Sequence, residues 1–401
     1  MAIAKGVAKK VAYKKESTWG TAATGTGAKY IRRVTSDVNM TKETYESNEI
    51  RTDYQVADMR HGLRAVDGTF NGELSCGSYA DWMQSVVARD FTSVSNLTGL
   101  SVTIAASGSL WTITRAAGDF LTDGIKVGSV VRLAGAGLSA GNVANNLQVV
   151  TLTSTVATVA TVNGSSLVAE GPIASVTMST AGKVTYAPLT GHTDDSYTVE
   201  EWYSDVAQSE VSTGVKFGTM NVTMPTTGLV TVDFTAKGKD QVFGTTQHFT
   251  TPTAAGTTGI FASVSGIIVV NGAPVGLITQ ADFSLDRGLE SANVIGSNTA
   301  ADIFTGRIRV TGNFTTYFTD GVFRGYFVDE DEISIIFTLA ETEENNSDFV
   351  SFTLPKVKIG SATKSDGEMG ITQSHSFTAL LNDVTAGGLP ETTLFIQDST
   401  L

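Results

Sequence analysis

The sequence predicts a mainly β protein: a duplicated β domain, with a helix beside the repeat strand of its first copy, and a small inserted β-barrel or immunoglobulin-like domain. Three observations carry this. The 401 residues include 41 Gly but only 7 Pro, and Thr, Ser and Val abound, which favours strands joined by Gly-rich turns. The stretch Gly62–Phe70 returns as Gly306–Phe314. Gly62, Val66, Gly68 and Phe70 match Gly306, Val310, Gly312 and Phe314 at a constant spacing of 244. Between the helix of the first copy and its next matching strand lies a series of short strands with no counterpart in the second copy.

Taken in order, residues 1–29 start basic (Lys5, Lys9, Lys10, Lys14, Lys15) and become small and polar. Such a segment has too little apolar surface to fold alone. It reads as a frayed terminus or as an arm that orders against a neighbouring subunit. Residues 30–95 form the first part of domain one. In Arg33–Met40, Val34, Val38 and Met40 alternate with Thr35, Asp37 and Asn39, the period of a half-buried strand. A polar loop, Thr41–Met59, follows. The repeat strand then puts Val66, Gly68, Phe70 and Leu74 on an apolar face and Asp67, Thr69, Asn71 and Glu73 on a wet one. Ser78–Ala88 reads as a helix capped by Ser78 or Asp81, with Tyr79, Trp82, Met83 and Val86 on one stripe.

The second copy repeats this order. Asp282–Leu285 precedes its strand as Asp37–Met40 precedes the first, and Asp320–Phe327 stands where the helix stood. Glu-Ser follows in both loops, at Glu46-Ser47 and Glu290-Ser291. Val215-Lys-Phe-Gly218 matches Val357-Lys-Ile-Gly360 at a spacing of 142, and Phe234-Thr-Ala236 matches Phe377-Thr-Ala379 at 143. The drop from 244 to 142 makes copy one longer by 102 residues, which lie after the helix and before about residue 195, and the inserted domain is assigned to 96–189 within that stretch. Its segments Thr103–Thr114, Gly128–Leu133, Gln148–Leu152, Val156–Val162 and Ala174–Met178 read as five strands of a self-contained, exposed module. Domain one resumes over 190–245, a Thr/Gly/Ala-rich linker spans 246–264, domain two covers 265–390, and 391–401 is a C-terminal tail.

Chemistry finds little footing. His61, His192, His248 and His375 lack metal-ligand spacing, and Cys76 alone permits neither an internal disulfide nor a Cys-based metal site. Gly135–Gly141 lacks the Lys-Ser/Thr of a phosphate loop, and no Gly-x-Ser-x-Gly occurs. The carboxylate runs Asp329–Glu332 and Glu341–Glu344 lack the EF-hand pattern and read as solvated loops. No catalytic residue, cofactor or metal is expected. No window approaches the roughly 18–20 apolar residues of a membrane span, and the basic N-terminus has no secretory apolar region. The single cysteine suits assembly in a reducing cytoplasm. A net charge of −13 excludes binding to DNA by phosphate neutralisation.

One pattern stands out: the wet faces of the repeat strands. Copy one presents Asp37, Asn39, Asp67, Thr69, Asn71, Asp233 and Thr235; copy two presents Asp282, Ser284, Thr311, Asn313, Thr315, Ser374, Ser376 and Thr378. Short polar or acidic groups with scarcely a Lys describe a smooth, negative wall.

Three segments give the chain a resemblance: Tyr13-Lys-Lys-Glu-Ser-Thr-Trp-Gly-Thr-Ala-Ala23, Tyr45–Ile50, and Met59-Arg-His-Gly62. With the repeat layout, it resembles the tail tube (major tail) proteins of bacteriophages with long, non-contractile tails. The resemblance covers both copies and not the insertion. It implies two tandem β-sandwich or barrel domains, each with a short flanking helix, in a structural virion protein, made and assembled in the host bacterial cytoplasm, that forms stacked rings of six tube domains through which DNA passes. With two domains per chain, three chains give pseudo-sixfold symmetry. The wet faces would then line the lumen. The basic arm (Tyr13, Lys14, Lys15, Trp19) and the first loop (Glu43, Glu46, Glu49) would contact neighbouring subunits and rings, with Asp286–Asp302 as the second such loop. The inserted module would sit outside. Implied partners are copies of itself and the tape measure, tail tip and tail terminator proteins. Viral DNA would pass without sequence-specific binding, and no membrane is involved. The alternative is another virion structural or surface-adhesion protein built of β modules, such as a head decoration or glycan-binding protein.

Overall fold

A computed structural model describes residues 3–384 and 386–401. Copy one opens with β1 (Lys9–Lys15), β2 (Lys29–Tyr30), β3 (Thr35–Glu46), β4 (Met59–Glu73), helix α1 (Ala80–Val87) and β5 (Thr92–Ser93). A closed barrel follows, built of β6 (Leu97–Ser107), β7 (Leu110–Arg115), β8 (Val130–Ala134), β9 (Leu147–Leu152), β10 (Val156–Thr161) and β11 (Glu170–Thr180). Copy one resumes with β12 (Lys183–Tyr186), β13 (Tyr197–Tyr203), β14 (Gln208–Met224), β15 (Thr231–Gly238) and β16 (Asp240–Gly244). Copy two comprises β17 (Gly266–Val270), β18 (Ala273–Pro274), β19 (Ile278–Asp286), β20 (Glu290–Ala292), β21 (Asp302–Phe304), β22 (Arg309–Tyr317), α2 (Val322–Val328), β23 (Ile333–Ala340), β24 (Phe349–Lys364), β25 (Thr372–Ala379) and β26 (Phe395–Asp398).

Both copies share one plan: two sheets that have their longest strand in common. Copy one has an inner sheet β3–β4–β15–β14 and an outer sheet β1–β13–β14–β16. Copy two repeats these as β19–β22–β25–β24 and β17–β23–β24–β26. The shared strand shifts register at the same place in each, between Phe217 and Thr219 against β15 and between Ile359 and Ser361 against β25. The extra residue is Gly218 or Gly360, and such a bulge bends a strand from one sheet to the next.

The period-two reading of the repeat strand holds: Val66, Gly68, Phe70 and Leu74 are buried, while Asp67 and Thr69 are exposed. Its glycines have a packing reason, since a Cβ at Gly312 would overlap the Phe377 ring, and one at Gly72 would overlap the Tyr79 hydroxyl. Inside the sandwich, Trp82 of α1 stacks on Phe217 with ring centroids 4.4 Å apart, and lies 4.8 Å from Phe70 and 5.4 Å from Phe234. The expected stripe Tyr79, Trp82, Met83 and Val86 is buried. Neither Ser78 nor Asp81 caps the helix, because Tyr79 holds the N-cap position without a side-chain hydrogen bond. The Ser78 hydroxyl instead meets Ser75 at 2.8 Å.

Several boundaries differ from expectation. Lys9–Lys15 pairs along its whole length with β13, and Val11, Ala12 and Tyr13 are buried. It is copy one's counterpart of β17, so the basic arm folds into its own domain. Its flanking lysines hid a three-residue apolar centre. The "tail" likewise contains β26, which closes copy two's outer sheet with Leu394, Phe395 and Ile396 buried. The linker is docked on copy one by Phe249 and Phe261, both buried, and by bridges Lys29–Thr253, Ser75–Ile260 and Leu229–Ala262. Thr41–Met59 is not all loop, because β3 runs to Glu46 and β4 starts at Met59.

Phe234-Thr-Ala236 and Phe377-Thr-Ala379 are not structural counterparts either. Ala236 faces Gly68 while Phe377 faces Gly312, so Ala236 corresponds to Phe377, and Phe234 to His375. The slip is two residues, which keeps every side chain on its original face.

The insertion contains six strands, because Thr103–Thr114 is a hairpin turning at Gly108. It is not self-contained. Val269 and Ile336 of copy two are buried in the same cluster as Val149 and Val150 of the barrel. Gln397 of β26 accepts from Val130 N–H (2.8 Å) and donates to the carbonyls of Val130 (2.9 Å) and Ala181 (2.7 Å). Buried Gln148 accepts a hydrogen bond from Thr338. The strand β12, expected within the insertion, instead pairs with β26 and β5.

Removing the central aromatic by Trp82→Ala is expected to cost about 3–5 kcal/mol of stability, measured by denaturant unfolding of the full chain.

Candidate lumen wall and subunit junction

The two inner sheets are one. Strand β14, last in copy one's inner sheet, pairs antiparallel with β19, first in copy two's, from Thr219–Asp286 to Met224–Ala281. Eight strands therefore run β3–β4–β15–β14–β19–β22–β25–β24 without a break.

Registers place the expected wet residues in rows across this sheet. One row reads Thr35, Asn71, Asp233, Asn221, Ser284, Thr311, Thr378 and Lys358. A second holds Asp37, Thr69, Thr235, Thr219, Asp286 and Arg309. A third holds Asp282, Asn313, Ser376 and Ser361, with Thr315 and Ser374 in the next and Asn39 beside Asp67. All of them lie on one face, opposite the buried Val38, Val66, Phe70, Phe234, Phe283, Val310 and Phe314.

Neighbours in the rows are tied together. Asn71 donates to Asp233 at 2.5 Å, Asn313 to Asp282 at 3.2 Å, and Thr315 meets Ser374 at 3.1 Å. Asn39 donates to Asp37. These bonds tie the amides and hydroxyls to their neighbours, while Asp37 and Asp67 are exposed and Asp233 and Asp282 half-buried. Sequence reasoning missed three cations on the same face. Lys237 pairs with Asp67 at 3.3 Å, Arg309 sits across from Asp286, and Lys358 ends the long row. Lys237 follows Asp233 and Thr235 at period two, a signal that was available. Asp286, expected to start a loop, is the last residue of β19.

The expected contact residues divide. Tyr13 is buried and its hydroxyl donates to Asp81 at 2.9 Å. Lys14 donates to the carbonyls of Thr24 and Thr26, Lys15 pairs with Asp195 at 2.7 Å, and Trp19 donates to the Gly214 carbonyl at 3.2 Å. All four make contacts within the chain; Tyr13 is buried, Lys14 and Trp19 are half-buried, and Lys15 is exposed. Glu43, Glu46 and Glu49 are exposed, as are Ile50 and Tyr54 at the tip of the same hairpin.

This layout agrees with a comparison against known families: the sequence model of phage tail tube proteins matches residues 6–379. The chain belongs to the phage tail tube protein family. The match runs from just before β1 to the end of β25, across both copies and the barrel. None of the curated proteins compared matches the chain at a significant level. A tail tube protein is a structural component of the virion tail that assembles with its own copies into a tube. No described helix of this tail tube protein is long and apolar enough to cross a membrane.

His375 occupies the site that Phe234 fills in copy one, stacked on Phe314 at 4.8 Å, with neither ring nitrogen hydrogen-bonded. Burial pushes its pKa down to about 4. An unfolded histidine protonates near 6.5. Between those values the unfolded chain binds more protons, so stability falls as pH drops from about 6.5 towards 4. The variant His375→Phe is expected to flatten that acid limb, read as melting temperature against pH.

Proposed function

We propose that three chains close into a ring of six inner sheets, and that rings stack into a tube whose lumen passes viral DNA. The β14–β19 pairing carries this reading. It joins two equivalent units edge to edge, yet leaves β3 at one end and the Ser361–Lys364 half of β24 at the other with one partner each among the described residues. Exposed edges with unpaired backbone groups invite another strand. A β24 edge meeting the next chain's β3 would repeat the internal junction, and three repeats give pseudo-sixfold symmetry from threefold.

The rows of Asp, Asn, Ser and Thr would then form the lumen wall. Its carboxylates repel phosphates, and its three cations each face a carboxylate, Lys237 and Lys358 in ion pairs and Arg309 across the register, so nothing grips the duplex. DNA slides. The hairpin tips, with Ile50 and Tyr54 in copy one and Ile295 in copy two exposed, would make ring-to-ring contacts. Beyond its own copies, the tube would meet tape measure, tip and terminator proteins of a long non-contractile tail assembled in the host cytoplasm. The role is structural.

Two outcomes test this. Negative-stain microscopy at rising concentration should show threefold rings or tubes, and persistent monomers would count against assembly. In assembled particles, Asp67→Lys with Asp282→Lys should slow DNA delivery by on the order of tenfold, each site adding a cation to the phosphate path. Unchanged delivery would remove those residues from the wall.

A further inference from the structure

The internal junction is more than a strand pair, and copy two lacks the cover that copy one receives. Within the chain, the loop between β19 and β22 packs on copy one. Lys216 of β14, 4% exposed at its side chain, binds the Asp302 carboxylate at 3.3 Å, the Ile303 carbonyl at 2.8 Å and Asp194 at 2.7 Å. Arg287 donates to the Ser85 carbonyl of α1 at 2.8 Å. Leu289 lies against Gly218, where a Cβ would collide with it. Ile303 and Ala300 are buried.

Each of these groups has a counterpart. Spacing 142 along the shared strand turns Lys216 and Gly218 into Lys358 and Gly360. Equivalent pairings of β13 and β23 turn Asp194 into Glu330, and Lys358 already reaches Glu330 at 3.9 Å. Spacing 244 turns Ala301-Asp302-Ile303 into Ala57-Asp58-Met59, so the alanine and aspartate recur. Trp82 and Phe323 both pack on the paired rings, Phe70 and Phe234 or Phe314 and His375. That makes Phe327 and Val328 the counterparts of Val86 and Val87.

The counterparts are uncovered. Met59 is 50% exposed where Ile303 is 0%, and Val56 64% where Ala300 is 5%. Val328 is 65% exposed where Val87 is 0%, and no residue of helix α2 is fully buried, Phe323 and Tyr326 being half-buried. A donor corner on copy one and a receiving surface on copy two stand empty at opposite ends of the chain, each built like a half of a filled contact.

We propose that the Val56–Met59 corner of the next chain seats on α2 and Gly360 of copy two, with its Asp58 carboxylate bound by Lys358. The occupant is a second copy of this chain, and the inference rests on the ring reading above. Lys358 is thereby assigned to the chain–chain contact at the end of the wall. Glu330 holds its ammonium from the other side, as Asp194 holds Lys216. The exposed Asp58–Arg60 pair (2.9 Å) yields to the new partner, because solvated pairs contribute little.

The test uses the full chain and sedimentation velocity over a concentration series. Lys358→Glu and Asp58→Lys each put like charges together, and each should weaken ring association on the order of tenfold or more; the double exchange should restore most of it. Both sites are at least 40% exposed at the side chain, so the variants keep their fold, checked by circular dichroism. A separate arm carries Asn39→Cys with Thr363→Cys, the pair that the Ser284–Asn221 register assigns to neighbouring chains; the native Cys76 is buried. Inter-chain cross-links combined with single variants that assemble like wild type, or a double exchange no better than the singles, overturn the Asp58–Lys358 contact alone. Absence of inter-chain cross-links overturns the ring reading and the contact with it.

Discussion

The whole molecule depends on the antiparallel pairing of β14 with β19. Edge strands carry backbone donors and acceptors that must find partners, and here the last inner strand of one copy satisfies the first inner strand of the other. That choice fixes the relative placement of the two sandwiches, makes eight strands continuous, and brings the loop bearing Asp302 onto Lys216. It also leaves one matching edge at each end of the chain. On the proposed ring reading, the filled internal joint of this duplicated domain is the template for joining it to copies of itself.

The glycine bulge serves the same constraint. Because β14 and β24 turn at Gly218 and Gly360, one strand borders both sheets of its sandwich, closing the core behind it while presenting an inner edge. At Gly218 the missing side chain also admits Leu289 from the other copy. The barrel is tied to copy two by a shared apolar cluster and by Gln397, so the insertion in copy one bridges the two copies rather than hanging from one of them.

Much of this was legible in the residues. The Gly-Val-Gly-Phe repeat and its period-two neighbours gave the inner strands, their wet face and the helix beside them, because a half-buried strand writes its two faces alternately. What escaped has physical reasons. Strand β1 reads as charged because lysines flank its Val-Ala-Tyr centre, and its pairing with β13 crosses nearly two hundred residues of chain. The Phe-Thr-Ala match misled because a two-residue slip preserves the face, so periodicity cannot detect it. Tyr13 and Trp19 read as contact residues of a free arm, whereas both pack at long range on their own chain, Tyr13 buried and Trp19 half-buried. The match Ala57-Asp58-Met59 to Ala301-Asp302-Ile303 was in the sequence, but only the buried Lys216 shows what the aspartate does.

Native mass spectrometry of the smallest closed assembly tests the central claim most directly. A ring built by repeating the internal junction three times has three chains of 42.0 kDa, close to 126 kDa, and no larger closed species before stacking. A six-chain ring near 252 kDa, or an open series with no preferred size, would contradict the junction as template.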